Sequence, residues 1–290
     1  MASTTQSTAA GVVPDGGPRV GLVQRRSVDS LDLDPFYAHL LAGMEEALDR
    51  AGGTVFVVFE ESVAAELEVY RRWGADGQVD VVLLTDLVAD DPRVEQCLSL
   101  GLHPVALGPE VPAGLSGIAV DELSAVRVAV EHVRADGHRR IAHVTGPRTL
   151  LHSESRAVAL AALLAEEGLE ALDAQGDYSR ASGAEATRGL LALDPPPTAI
   201  IYDNDLMALG GHQALIEAGL SVPDDVSVLA WDDSVHCRLA EPPISAVSRD
   251  VHGLGTLLGA LIVQGAGEVR VVQAPHARVV RRATTGPVPT

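Results

Sequence analysis

The feature that most constrains this chain is an alternation. From Arg19 onward, short runs of β-branched and other apolar residues are separated by longer segments with helical periodicity. Runs at 20–23, 54–59, 79–84, 104–107, 118–120, 141–145, 198–202, 226–231 and 244–247 read as strands. They are nearly continuous in apolar residues, as parallel strands covered on both faces are. Between them, 35–50, 64–73, 93–100, 123–135, 153–167, 184–193, 205–218 and 254–263 read as helices. Strand followed by helix, many times over, predicts a doubly wound α/β architecture. So many strands are more than one open sheet of this length carries, so two parallel-sheet lobes with a ligand cleft between them are expected. Ligands in such folds sit beyond the carboxyl ends of the strands. That rule selects 24–27, Thr85, Asp86, Gly108, Asp121, 145–148, Asp203, Asn204 and 231–233.

Local signals agree with this segmentation. Asp34-Pro35 reads as an N-cap followed by proline at the first helical position. Ser182 and Glu185 have capping-box spacing. Gly52-Gly53, Gly101, Gly137, Gly168 and Gly219 each follow an apolar-periodic stretch, as glycines at helix C-termini do. Gly253, Gly255 and Gly259 lack dinucleotide-loop spacing and read as small residues on a packing helix, with a subunit contact as an alternative.

Composition removes whole classes of function. The 290-residue chain carries 40 acidic against 21 basic residues, a formal net charge of −19, which repels nucleic-acid phosphates. All the basic residues are Arg; without Lys there is no phosphate-loop lysine, no Schiff base and no kinase-type lysine. Cys97 and Cys237, far apart, make neither a disulfide framework nor a zinc knuckle. His132, His138 and His143 fall on a helix, a turn and a strand and do not converge as metal ligands. No metal, cofactor or catalytic constellation is expected, and therefore no enzyme. No apolar run reaches the roughly 18 residues of a membrane span. Residues 1–18 have neither a basic start nor an apolar stretch, so they read as a disordered lead-in rather than a signal peptide. A cytoplasmic protein is expected.

Four blocks carry a resemblance. Gly137-His138-Arg139-Arg140-Ile141-Ala142-His143 with Gly146-Pro147, Pro197-Thr198-Ala199-Ile200 with Asn204-Asp205-Leu206-Met207-Ala208-Leu209-Gly210, Val222-Pro223-Asp224-Asp225-Val226-Ser227-Val228 with Trp231-Asp232-Asp233, and Pro242-Pro243-Ile244-Ser245-Ala246-Val247 stand in order. Together they resemble the effector-binding domain of the lactose-repressor (LacI/GalR) family, over about 19–284. The resemblance implies a periplasmic-binding-protein-like type I fold. It also implies a small, sugar-like effector in the cleft, lobe closure coupled to the geometry of a homodimer, and DNA contact only through a segment that this chain lacks. The lobes are expected at 19–120 plus 249–271 and at 121–248 plus 272–290. A periplasmic-type sugar-binding protein of a transport system is the alternative.

Candidate site residues follow, each beside its plainer reading. Phe36 and Trp231 are two of only nine aromatics, offering ring faces to sugar C–H groups or packing in the core. Asn204, the only asparagine, contacts the effector by resemblance and is also placed to cap a helix. Asp232 suits sugar hydroxyls; Asp233 caps the next turn. Arg156 keeps the family's ligand-reaching arginine, and its alternative is a surface ion pair with Glu154 or Asp177. Asp121 is a ligand, a helix cap or a lobe–lobe contact. Gln24 follows the first strand, and Arg249 stands where relatives commonly carry Gln. Arg25, Arg26, Arg156 and Arg249 together would make a basic cleft favouring an anionic effector. On this reading Trp231→Ala and Asp232→Ala abolish the effector response and leave apo stability nearly unchanged.

Overall fold

A computed structural model describes residues 16–25, 34–265 and 268–289. Most of the 1–18 lead-in, and Arg26, lie outside the described residues. The first stretch runs β1 (Arg19–Arg25), α1 (Pro35–Asp49), β2 (Thr54–Glu60), α2 (Val63–Asp76), β3 (Val81–Leu84), α3 (Pro92–Ser99), β4 (His103–Gly108) and β5 (Ser116–Ala119). The second runs α4 (Glu122–Ala135), β6 (Ile141–Thr145), α5 (Leu151–Glu166), β7 (Leu172–Gln175), α6 (Arg180–Leu191), β8 (Ala199–Tyr202), α7 (Asp205–Glu217), β9 (Ser227–Trp231), α8 (Val235–Leu239) and β10 (Ser245–Ser248). The chain then returns with α9 (Val251–Val263) and β11 (Val271–Gln273) and ends in β12 (Arg278–Val280).

Two six-stranded sheets result, ordered β11-β5-β4-β3-β1-β2 and β12-β10-β9-β8-β6-β7. Every pairing is parallel except β12 against β10. Each sheet reverses its winding once, between β1 and β3 in the first and between β6 and β8 in the second. Helices cover both faces, so each lobe holds two apolar layers: one around Leu22, Met44 and Leu258 and one around Tyr70 and Leu84 in the first. Leu160 with Ile201, and Tyr202 with Ile244, mark the equivalent layers in the second. This is the doubly wound two-lobed fold that the alternation predicts.

The chain passes between lobes after β5, after β10 and between β11 and β12. The last crossing corrects the expected boundary at 271/272: Val271, Val272 and Gln273 pair with β5 in the first sheet, so the return lies between Gln273 and Arg278. Three strands escape the sequence pattern, β7, β11 and β12. All are sheet-edge strands of three or four residues with partly exposed, non-continuous apolar character. Edge strands bury less, so the composition that betrays central strands is missing.

Several caps are as read: Asp34 Oδ1 accepts from the Phe36 amide at 2.9 Å, and Gly52, Gly101, Gly137, Gly168 and Gly219 all have positive φ. The capping box is corrected. α6 begins three residues earlier than Ser182 suggests, with Ser179 accepting from the Ser182 amide at 3.1 Å. Of the small residues on α9, Gly255 and Gly259 serve a contact inside the chain: a Cβ at Gly255 would collide with the Leu40 carbonyl of α1.

Candidate functional site

The two winding reversals face each other. Ligand-binding crevices in open α/β sheets form at such switch points. Here they present Gln24 at the end of β1, Thr85 and Asp86 after β3, Thr145 and Gly146 at the end of β6, and Asp203 and Asn204 after β8. The lobes touch at one edge, where the Leu151 amide donates to the Leu87 carbonyl at 2.9 Å and Val88 bridges to Leu150.

Arg156 is the central cation. Buried on α5, it donates through Nε to Glu122 Oε2 at 3.0 Å and through a terminal nitrogen to the Asp203 carbonyl at 3.3 Å. Its guanidinium lies over the Trp231 ring, 4.5 Å from the centroid. The alternative reading of a surface pair with Glu154 or Asp177 is not met, since the ion pair is buried and made with Glu122; Glu154 instead pairs with Arg148. Trp231 is 3% exposed and belongs to the second-lobe core, with one face taken by Arg156. Asp203 is held deep in this network. Burial opposes its ionisation, yet His143 at 2.9 Å, Arg156 and the Gly146 amide hold it down at about 2.

Asn204 performs two structural tasks. Its Oδ1 accepts from the Met207 amide at 2.9 Å, capping α7, and its Nδ2 donates to the Tyr178 carbonyl at 3.0 Å. Asp121 caps α4 through the Ser124 amide at 2.9 Å and sits on the exposed rim. Asp233 turns away to Arg282 at 2.7 Å, while Ser234 caps α8. Phe36 is half-buried against the first-lobe core, edge-on to Tyr37 with centroids 5.2 Å apart.

Asp232 differs from its neighbours. Its side chain has no hydrogen-bond or ion-pair partner among the described residues, and burial with Asp34 and Asp205 nearby pushes its carboxyl up to about 7 against the pull of Arg156 and Arg249. Arg249 is likewise without an ion pair there. Burial, with Arg156 beside it, lowers its basicity, and its Nε is buried without a partner. Gln24 Nε2 and Thr145 Oγ1 are buried and unpaired too. Buried polar atoms are satisfied as a rule, so the unpaired atoms of Gln24, Thr145 and Arg249, with the half-buried Asp232 carboxylate, leave hydrogen-bonding capacity at one end of both sheets.

Sequence reasoning missed two tyrosines. The Tyr37 hydroxyl lies 3.1 Å from both Thr85 Oγ1 and Asp86 Oδ2, so the cleft-facing polar ring of α1 is the neighbour of Phe36. The Tyr178 hydroxyl meets His152 Nε2 at 2.7 Å and Ser153 Oγ at 2.6 Å, and its ring lies over Gly146, where a Cβ would collide with it. Tyr178 follows the edge strand β7, which the apolar pattern does not show; only the contacts identify it. Asp86, Tyr178 and Asp232 all have left-handed backbones, with φ of 49°, 70° and 67°. Non-glycine residues there are strained by about 1–3 kcal/mol, and such strain clusters at ligand clamps.

The four-arginine cleft does not assemble. Arg25 pairs with Glu66 at 3.5 Å, Arg156 is neutralised by Glu122, and Arg26 is outside the described residues. Among the described residues of that set, Arg249 alone has no ion pair.

Asp232 makes a pH prediction. Its folded pKa of about 7 lies above the ordinary 3.8, so between those values the folded protein holds a proton that the unfolded chain has lost. Stability conferred below that window is lost as pH rises through it, with a slope approaching about 1.4 kcal/mol per pH unit for one proton. Asp232→Asn is expected to flatten this part of the stability profile, measured by denaturant unfolding at several pH values.

Comparison with known proteins decides the family. The family model for the periplasmic binding protein-like domain matches residues 130–285. A regulator of Thermobifida fusca, the HTH-type transcriptional regulator CelR, is 32% identical over 273 residues, covering 90% of this chain and 79% of its own. The chain belongs to the LacI family of transcriptional regulators. Among LacI-family structures, a regulator from Bifidobacterium animalis subsp. lactis superposes with a TM-score of 0.83 at 34% identity, covering 93% of this chain and 98% of its own. A CelR–cellobiose complex superposes at 0.80 with 29% identity, covering 92% and 84%. Among the described residues, no helix is long and apolar enough to cross a membrane, and no cluster of three or more His, Cys, Asp or Glu could hold a metal ion.

Proposed function

We propose that this LacI-family domain is an effector sensor whose ligand is a neutral, sugar-like molecule held between the lobes. The observation that carries this reading is the set of unpaired polar groups on both sides of one cleft: Gln24, Thr145, Asp232 and Arg249. A polyhydroxylated ligand supplies what they lack, donating hydroxyls to Asp232 while its oxygens accept from Gln24 and Arg249. The Tyr37 and Tyr178 hydroxyls border the same space and set its shape. The likeness to a cellobiose-bound regulator supports a sugar.

Binding rather than turnover is the expected chemistry. Asp203 and Glu122 are spent on internal pairs, and His152 is pushed below its ordinary pKa by burial and Arg156, so it stays neutral. The effector would favour the closed arrangement of the lobes in proportion to its differential affinity for it. In a cytoplasmic homodimer that shift would reach DNA through a segment other than this acidic domain.

A thermal-shift panel of neutral sugars against sugar acids tests this. A ligand that binds only the folded form at 100 times its Kd stabilises by about 2.7 kcal/mol. Asp232→Asn and Tyr178→Ala are each expected to remove most of the shift while the protein remains folded. A response confined to sugar acids, or an undiminished response in both variants, would sink the reading.

A further inference from the structure

Arg93 stands in the first turn of α3 and is 3% exposed, so its charge is turned into the first lobe. Its guanidinium meets the loop that follows β3. One terminal nitrogen donates to the Thr85 carbonyl at 2.9 Å and to the Asp86 carbonyl at 3.0 Å. The other donates to Glu66 Oε1 at 3.1 Å, and Nε donates to Asp91 Oδ1 at 2.9 Å. Asp91 in turn caps α3 through the Arg93 amide at 3.1 Å and accepts from the Val88 amide at 3.3 Å. The loop from Thr85 to Val88 is thus held at both ends, by the cation and by its carboxylate partner.

That loop is the first-lobe wall of the cleft. The Tyr37 hydroxyl stands against its Thr85 and Asp86 side chains. Asp86 keeps a left-handed backbone, which a non-glycine residue does only where its surroundings enforce it. Hydrogen bonds from a charged donor are about twice as strong as neutral ones, and a planar fork fixes several acceptors relative to one another. The second lobe uses the same device, since Arg156 pairs with Glu122 and donates to the Asp203 carbonyl. The strands before the two loops, β3 and β8, hold the same place in their sheets. Glu66 takes the part of Glu122 in the first lobe, where it also accepts from the Tyr70 hydroxyl and pairs with Arg25 at 3.5 Å.

We propose that Arg93 is a positioning residue of the effector site: by fixing the Thr85 and Asp86 carbonyls it sets where the Tyr37 hydroxyl stands in the cleft, without touching the ligand. The proposal rests on the reading of the cleft as an effector site.

The chain's four tyrosines supply the test. Isotope-labelled at the ring carbon that bears the hydroxyl, each gives one NMR signal sensitive to the hydrogen bonds of that hydroxyl, assigned by Tyr→Phe variants. Arg93→Lys keeps a charge beside Glu66 but loses the fork. The Tyr37 signal is therefore expected to move, while those of Tyr178 and Tyr202 in the second lobe stay in place. Glu66→Gln keeps the fork and is expected to move Tyr70 but leave Tyr37. Where Arg93→Lys does not fold, the Glu66→Gln/Arg93→Gln pair removes both charges together, a milder change than orphaning one, and carries the same readout. Calorimetry with glucose, galactose and maltose then compares the parent with Arg93→Lys, whose affinity is expected to fall by about tenfold or more, as loss of one placed hydrogen bond does. A Tyr37 signal that does not move overturns the inference, as does a moved signal with undiminished sugar affinity. A parent protein that binds none of the neutral sugars overturns the sugar reading alone, because the tyrosine signals decide without a ligand whether Arg93 places Tyr37.

Discussion

Replacing Trp231 with alanine is expected to destabilise the apo protein by about 3–5 kcal/mol, the range for deleting a large buried aromatic side chain. The ring is 3% exposed, packs with Ile201, Leu229 and Val247, and carries the Arg156 guanidinium on its face. Truncation opens a cavity and removes a desolvated cation–π contact worth about 2 kcal/mol. Trp231→Phe keeps most of the volume and should cost markedly less. Denaturant unfolding of the three proteins measures this. Equal stability would mean that the ring is not a core element. The expectation drawn from sequence, that this substitution spares apo stability, is thereby revised: an aromatic at the tip of a strand serves as the floor under Arg156 before it serves a ligand.

Arg156→Ala should cost a comparable amount, about 3–5 kcal/mol, because it leaves buried carboxylates without their cation. Glu122 would lose its hydrogen bonds at 3.0 and 3.3 Å, and Asp203 one of the charges that hold it ionised. The sign of the pH dependence separates this from simple loss of packing. Orphaned carboxylates take up protons, so the deficit of the variant should shrink as pH falls from 7 to about 5. Arg156→Lys retains the charge but not the fork, and should fall between parent and alanine. A deficit independent of pH would show that packing alone was lost.

Amino-acid order is informative where burial or capping restricts the residue type. Central strands such as β6 and β9 announce themselves because both faces are buried, which demands uninterrupted apolar residues. Helix ends were legible wherever a cap needs one residue type, as at Asp34 or Gly219. With the sheet order, these placed Gln24, Asn204 and Asp232 at strand tips. The motifs around Gly146-Pro147 and Asn204-Asp205 also acquire a physical reason: Gly146 leaves room for the Tyr178 ring, and Asn204 holds the Tyr178 carbonyl while capping α7.

The partners of each side chain were not legible. That Arg156 is committed to Glu122 and Trp231, that Tyr37 rather than Phe36 presents a polar atom to the cleft, and that Asp232 is left unpaired are facts about residues far apart in the chain. Local order specifies which segments become strands and helices, because backbone hydrogen bonding and capping are satisfied within a few residues. Which charges neutralise one another depends on distances between segments that meet only when both lobes have folded, and desolvation then decides which groups remain for a ligand.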